Sequence, residues 1–128
     1  HSALDRKTVL VVEDISSNYL LISAMLSKHY NLLHAVNGEQ AVAMVKEYKI
    51  DLLLMDMKMP VMDGLTATAE IRKFDTNIPI VALTAHAFES DKVAALKSGC
   101  NDYLVKPVDK ARLMSVLRKY CHPSTLVL

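Results

Sequence analysis

Short apolar runs alternate with longer stretches of helical periodicity along the chain, and that alternation predicts strands and helices in turn. The run Thr8-Val9-Leu10-Val11-Val12 is β-branched and apolar on both faces, which marks a strand buried within a parallel sheet. Residues 17–28 then pair Leu21 with Met25 and Ile22 with Leu26 at i, i+4, as a helix requires. A second strand is predicted over 31–36, with Asn37-Gly38 as the turn that closes it. A second helix follows over 38–48, carrying Ala41, Val42 and Val45 on one face. The third apolar run, 50–55, ends at Asp56, and the turn residues Asp63-Gly64 lead into a helix that reaches Lys73. A fourth strand over 79–83 ends at Thr84. The helix over 90–97 stops at Ser98-Gly99, where glycine is the usual C-terminal cap. The fifth strand, 103–105, ends at Lys106-Pro107. Asp109 caps a last helix on which Leu113, Val116, Leu117 and Tyr120 recur at helical spacing.

Five strands alternating with five helices predict an α/β domain, a doubly wound parallel sheet with helices on both faces. The 128 residues suit one domain, large enough to bury a core without disulfides or a structural metal. Net charge is +1, so no excess of either sign points to nucleic acid or to an anionic membrane, and neither contact is expected. Cys100 and Cys121 lack metal-ligand spacing and are read as reduced thiols of a cytoplasmic protein. No apolar run approaches the ~20 residues needed to cross a bilayer. His1-Ser2-Ala3 shows neither a signal-peptide pattern nor an initiator Met; it reads as a scar on an excised domain, so the native protein is expected to be longer.

The polar residues are informative by position. In an open parallel sheet, function gathers outside the carboxyl ends of the strands. Those ends carry Glu13 and Asp14 after strand one, Asp56 after strand three, Thr84 after strand four and Lys106 after strand five, whereas strand two ends without an ionisable group. Three carboxylates brought together repel and invite a cation. Oxygen ligands favour a hard divalent ion, and Mg²⁺ typically takes one or two carboxylates, waters and a phosphate oxygen. A lysine and a hydroxyl beside it suit a transferring phosphoryl group, and a carboxylate can serve as its nucleophile. Asp56 is central among the strand ends and is the natural candidate.

These residues fall in motifs that resemble the receiver domains of response regulators, over 8–120. The matching pieces are Val11-Val12-Glu13-Asp14, the stretch from Leu54 through Asp56-Met57-Lys58-Met59-Pro60 to Asp63-Gly64, Leu83-Thr84-Ala85, and Tyr103-Leu104-Val105-Lys106-Pro107. The resemblance implies a flavodoxin-like strand order 2-1-3-4-5, a receiver domain over 8–121, and tails over 1–7 and 122–128. It makes Asp56 the phosphoacceptor, and Glu13 and Asp14 the acidic pair that holds Mg²⁺ together with Asp56 and the backbone carbonyl of Lys58. Thr84 becomes the switch hydroxyl, Tyr103 the aromatic that turns inward with it, and Lys106 the phosphate-pairing lysine, followed by a cis bond to Pro107. The wording Met55-Asp56-Met57-Lys58-Met59-Pro60 is similar to receivers fused to hybrid sensor kinases, which would place the domain in the cytoplasm beside a membrane anchor.

The implied function is a phosphoacceptor switch. A histidine kinase or histidine phosphotransfer domain donates to Asp56, and the domain catalyses its own phosphorylation and dephosphorylation. Lys58 and His86, each two residues past a site residue, are expected to modulate the lifetime of the phosphoryl group. A weak homodimer through helix four, strand five and helix five is a further expectation. A pseudo-receiver that never takes phosphate is the alternative, and the full set of Glu13, Asp14, Asp56, Thr84 and Lys106 argues against it. A phosphohydrolase of the haloacid dehalogenase type would need an acidic proton donor two residues after the nucleophile, where this chain has Lys58. His29, His34 and His122 have no ligand spacing and are read as surface residues, and the seven methionines as core and turn filler.

Overall fold

The structure, a computed structural model, describes residues 6–59 and 61–122; most of both expected tails, and Pro60, lie outside the described residues. The chain runs β1 (Thr8–Val12), α1 (Ser16–Leu26), β2 (Asn31–Ala35), α2 (Gly38–Glu47), β3 (Leu52–Asp56), α3 (Gly64–Arg72), β4 (Ile80–Thr84), α4 (Glu89–Ser98), β5 (Asp102–Val105) and α5 (Lys110–Tyr120). All strand pairs are parallel, in the order β2-β1-β3-β4-β5. The order follows from the pattern of apolarity. β3 and β4 are buried along their whole length and β1 along all but its first residue, as strands covered on both faces must be. β2 and β5 are mostly half-buried and form the edges.

Side chains alternate between two cores. On one face Val9, Val11, Leu52, Leu54, Val81 and Leu83 pack against Ile22 and Leu26 of α1 and Leu113 and Leu117 of α5. On the other, Leu10, Val12, Leu53, Met55, Ile80 and Ala82 meet Ala41 of α2, Ala67 and Ile71 of α3 and Ala95 of α4. Each fully buried large aliphatic side chain contributes roughly 1.5–3 kcal/mol, so the three central strands anchor the fold. The small residues facing the second core let α2, α3 and α4 approach the sheet closely.

Element ends are set by side-chain caps. Asn37 accepts from Gln40 N at 2.7 Å, so it opens α2 rather than merely turning the chain. Asp63 accepts from Thr66 N at 2.8 Å at the start of α3, and Asp109 accepts from Ala111 N and Arg112 N at the start of α5. Gly99 ends α4 with φ +117°, a left-handed backbone that glycine adopts without a Cβ penalty. Strand three starts later than the apolar run predicts, because the Asp51 carboxylate accepts from Thr8 N at 2.8 Å and the ladder begins at Leu52. Asp56 is therefore the last residue of β3 rather than the residue after it.

The β3–α3 loop is held tightly. Gly38 N donates to Met62 O at 3.1 Å, joining the start of α2 to this loop. A Cβ on Gly64 would overlap the carbonyl oxygen of Asp56, so only glycine lets α3 start against the end of β3. Between them Val61 has φ 71° while 76% exposed, an uncommon backbone for a β-branched residue and one that no packing of its side chain rewards. Asparagine tolerates this region better, so Val61→Asn should raise the unfolding free energy by about 1 kcal/mol. Urea denaturation reads this directly, and an unchanged or lower stability would show that the loop does not hold this backbone.

Candidate functional site

Two strand ends, those of β1 and β3, deliver three carboxylates to one spot. Oxygens of Glu13, Asp14 and Asp56 all lie within 4.8 Å of one another. Glu13 is fully buried and Asp56 is 4% exposed, whereas Asp14 is exposed. Lys106, at the end of β5, reaches across β4 into this group. Its Nζ is 2.9 Å from Asp56 Oδ2 and 3.1 Å from Glu13 Oε1. The ammonium donates to Asp56 and is poorly angled toward Glu13, so Oε1 is a buried acceptor without a hydrogen bond. The other Glu13 oxygen accepts from Ile15 N at 3.2 Å.

Asp56 is gripped on both sides. Oδ2 takes the lysine, and Oδ1 accepts from the backbone N–H of Lys58 at 3.1 Å. These contacts orient the carboxylate and leave its remaining lone pairs toward a cleft of about 440 Å³. Asp14, Lys58, Thr84, His86 and Lys106 also line that cleft, which has room for a phosphoryl group and the side chain that carries it. The Thr84 hydroxyl donates to His86 O at 3.0 Å, toward the β4–α4 loop rather than to the acidic group. His86 stacks on the exposed Phe88 at 5.0 Å between ring centroids. Tyr103 stands apart from the cleft, half-buried, with Lys92 Nζ 4.8 Å from its ring centroid. The Lys106–Pro107 peptide is cis.

The electrostatics follow from burial. Burial pushes the Glu13 carboxyl up from the ordinary value of 4.5; the Lys106 ammonium and the Ile15 amide oppose this, and the charge of Asp56 reinforces it. Burial also pushes the Lys106 ammonium down, but its hydrogen bond to Asp56 and its close charge pairing with Asp56 and Glu13 outweigh that and raise it above the ordinary 10.5. A buried acceptor without a partner, beside two further carboxylates, is a donor set that suits a hard divalent cation such as Mg²⁺.

One histidine differs from its sequence reading. His34 is not a free surface residue: it is half-buried, stacked on Tyr19, and its Nε2 lies 2.8 Å from Glu13 O. Strand two thus reaches the backbone of Glu13 through His34, although its carboxyl end carries no ionisable group. Histidine in a strand carries no spacing signal. The strand register, in which His34 pairs with Val11 two residues before Glu13, is what could have found it.

A family model described as the response regulator receiver domain matches residues 9–118. Among curated proteins, hybrid signal transduction histidine kinase M of Dictyostelium discoideum is 40% identical over 119 residues, covering 87% of this chain and 5% of that protein. Sensor histidine kinase GacS of Pseudomonas protegens is 42% identical over 118 residues, covering 88% of this chain and 13% of its own length. The chain therefore spans only a small part of the curated relatives it matches. Among solved structures, the receiver domain of a sensor histidine kinase from Pseudomonas aeruginosa, with a magnesium ion coordinated in its active site cleft, superposes with a TM-score of 0.83. It is 39% identical and covers 89% of this chain and 96% of its own. The receiver domain of the Saccharomyces cerevisiae response regulator Ssk1, in complex with the histidine phosphotransfer protein Ypd1, gives a TM-score of 0.87 at 36% identity. It covers 94% of this chain and 93% of its own.

The raised Glu13 carboxyl sets a pH dependence. A group whose folded-state pKa lies above its unfolded value holds a proton that the unfolded chain has released, so its contribution to stability is lost as pH rises through the folded value. In the metal-free protein, the melting temperature of Glu13→Gln relative to the wild type should therefore climb as pH rises above 4.5. Added Mg²⁺ should stabilise the wild type and leave the variant unchanged. Thermal melts in chelator and in Mg²⁺ at several pH values check both; an offset independent of pH would contradict the assignment.

Proposed function

The chain belongs to the response regulator receiver domain family, and on that premise we propose that it accepts a phosphoryl group on Asp56 from a phosphohistidine donor. The observation that carries this reading is the placement of Asp56: nearly buried, oriented by Lys58 N and Lys106 Nζ, and open to the cleft beside two further carboxylates. Bound by Glu13, Asp14, Asp56 and the Lys58 carbonyl, Mg²⁺ would neutralise charge on the transferring phosphoryl oxygens. An Asp56 oxygen attacks phosphorus, the bond from phosphorus to the donor imidazole breaks, and the imidazole leaves with the electron pair. Lys106 exchanges a carboxylate partner for a phosphoryl oxygen. That exchange needs no long movement, since its Nζ already lies 2.9 Å from Asp56 Oδ2.

The response then passes to the β4–α4 loop. Thr84 now donates to His86 O, and turning its hydroxyl toward the phosphoryl group releases that contact. Tyr103 follows into the space beside Thr84, away from Lys92. Phe88, Val93 and Leu96 leave the surface of α4 partly apolar, which suits a face read by partners or by weak self-association with β5 and α5. At the other side of the site, exposed Ile15, Leu20 and Leu21 offer an apolar strip along α1 for a helical histidine phosphotransfer domain or kinase. The similarity to hybrid kinase receivers favours a phosphorelay module within a longer protein, and its site faces chemistry of the cytoplasm.

Incubation with acetyl phosphate and Mg²⁺ should add one phosphoryl group by intact-protein mass, and Asp56→Asn should abolish it. An unmodified wild type would favour the pseudo-receiver, and free phosphate without an adduct the hydrolase. Lys58 and His86 stand exposed at the cleft rim, where they hinder attacking water. Lys58→Ala and His86→Ala should each shorten the lifetime of the adduct severalfold. Unchanged decay in both would leave them as solvated side chains.

A further inference from the structure

The end of β2 holds an arrangement that phosphoryl transfer does not by itself require. Glu13 N donates to Ala35 O at 3.0 Å, extending the β1–β2 ladder one residue beyond the strands. Beyond that point β2 gives way to α2, and the next carbonyl, that of Glu13, is met by a side chain instead. His34 Nε2 lies 2.8 Å from it. A carbonyl only accepts, so Nε2 carries a proton and donates. The ring is fixed as well, lying flat on Tyr19 with centroids 3.8 Å apart and planes 4° from parallel. Tyr19 sits in the first turns of α1, the helix that follows Glu13 and Asp14 directly. The contacts form a closed circuit from β2 to Glu13, through the acidic pair to α1, and back to β2.

We propose that His34 is a positioning residue for the cation site, its hydrogen bond to Glu13 O fixing the peptide between Glu13 and Asp14. Glu13 and Asp14 project from either side of that peptide, so its orientation decides whether both carboxylates face Asp56. Glu13 has Ile15 N and Lys106 to hold its side chain. Asp14 makes no hydrogen bond or ion pair among the described residues, and two neighbouring carboxylates repel it. Only the backbone keeps it in place. The N-terminus of α1 has no side-chain cap to do so, since Ile15 occupies the cap position. Groups behind metal ligands set ligand orientation in this way, and their loss typically weakens binding.

This inference rests on the reading of Glu13 and Asp14 as cation ligands, and one set of titrations separates the two. The metal-free protein is titrated with MgCl₂ by isothermal calorimetry as wild type, Asp14→Asn, His34→Phe and His34→Gln. His34→Phe keeps a ring on Tyr19 but removes the N–H, and should weaken Mg²⁺ binding by about tenfold. Its melting temperature in chelator should stay near that of the wild type. His34→Gln, which restores an N–H without the ring, should recover most of the affinity. Wild-type affinity in His34→Phe, or a His34→Gln as weak as His34→Phe, overturns the role of His34 alone. A wild type that binds no Mg²⁺, or an Asp14→Asn that binds like the wild type, overturns the cation reading and this inference with it. Should His34→Phe not fold, His34→Leu takes its place, close to glutamine in shape but without an N–H; it must also weaken binding, and unchanged affinity there overturns the proposal.

Discussion

Lys106 bridges two carboxylates that have been taken out of water, and the rest of the site depends on that bridge. Glu13 is fully buried and Asp56 nearly so, with carboxylate oxygens within 4.8 Å of each other. A lone ammonium 2.9 Å from one and 3.1 Å from the other offsets part of the repulsion and leaves one Glu13 oxygen without a hydrogen bond. Such a buried ion group contributes little net stability, because desolvation cancels most of the Coulomb gain. What it provides is an unsatisfied arrangement, short of positive charge and open to a cleft. A divalent cation is the species whose arrival would relieve it, and the cation in turn would accept a phosphoryl oxygen.

The fold supplies the geometry through register. Parallel strands end at one edge, and β1, β3, β4 and β5 each contribute a polar residue there, while their apolar residues fill two separate cores. The loops beyond that edge are fixed from outside the site. Gly38 N holds Met62 O, and Gly64 lets α3 start against Asp56. At the far end of α3, Arg72 Nε donates to Gly99 O at 3.0 Å and its Nη2 to Asn101 at 2.9 Å. That pins the C-terminal end of α4, while the N-terminal end, capped by Phe88 without a side-chain hydrogen bond, is held less firmly. The contact of the Thr84 hydroxyl with His86 O adjoins that N-terminal end.

Much of this was legible in the sequence, for physical reasons that differ by residue. The strand order came with the family resemblance, and the strands themselves from unbroken apolar runs that only a doubly covered sheet accommodates. Boundaries slipped where a side chain overrides periodicity, as at Asp51, whose carboxylate takes the Thr8 amide, and at Asn37, which caps a helix. The left-handed Val61 was illegible, since a β-branched residue argues against that backbone. His34 was invisible for another reason: its role lies in one contact across two strands and a ring from α1, and none of these leaves a spacing in the chain. Tyr103 was assigned by resemblance alone, and its ring lies beside Lys92, outside the cleft.

The central claim is that Asp56, and no neighbouring carboxylate, becomes the acyl phosphate. Borohydride reduces an acyl phosphate to the corresponding alcohol, converting the modified aspartate to homoserine and leaving free carboxylates untouched. Peptide mapping of the wild-type protein after phosphorylation and reduction should find homoserine at position 56 alone. Homoserine at position 14, or a reduced glutamate at position 13, would contradict the account.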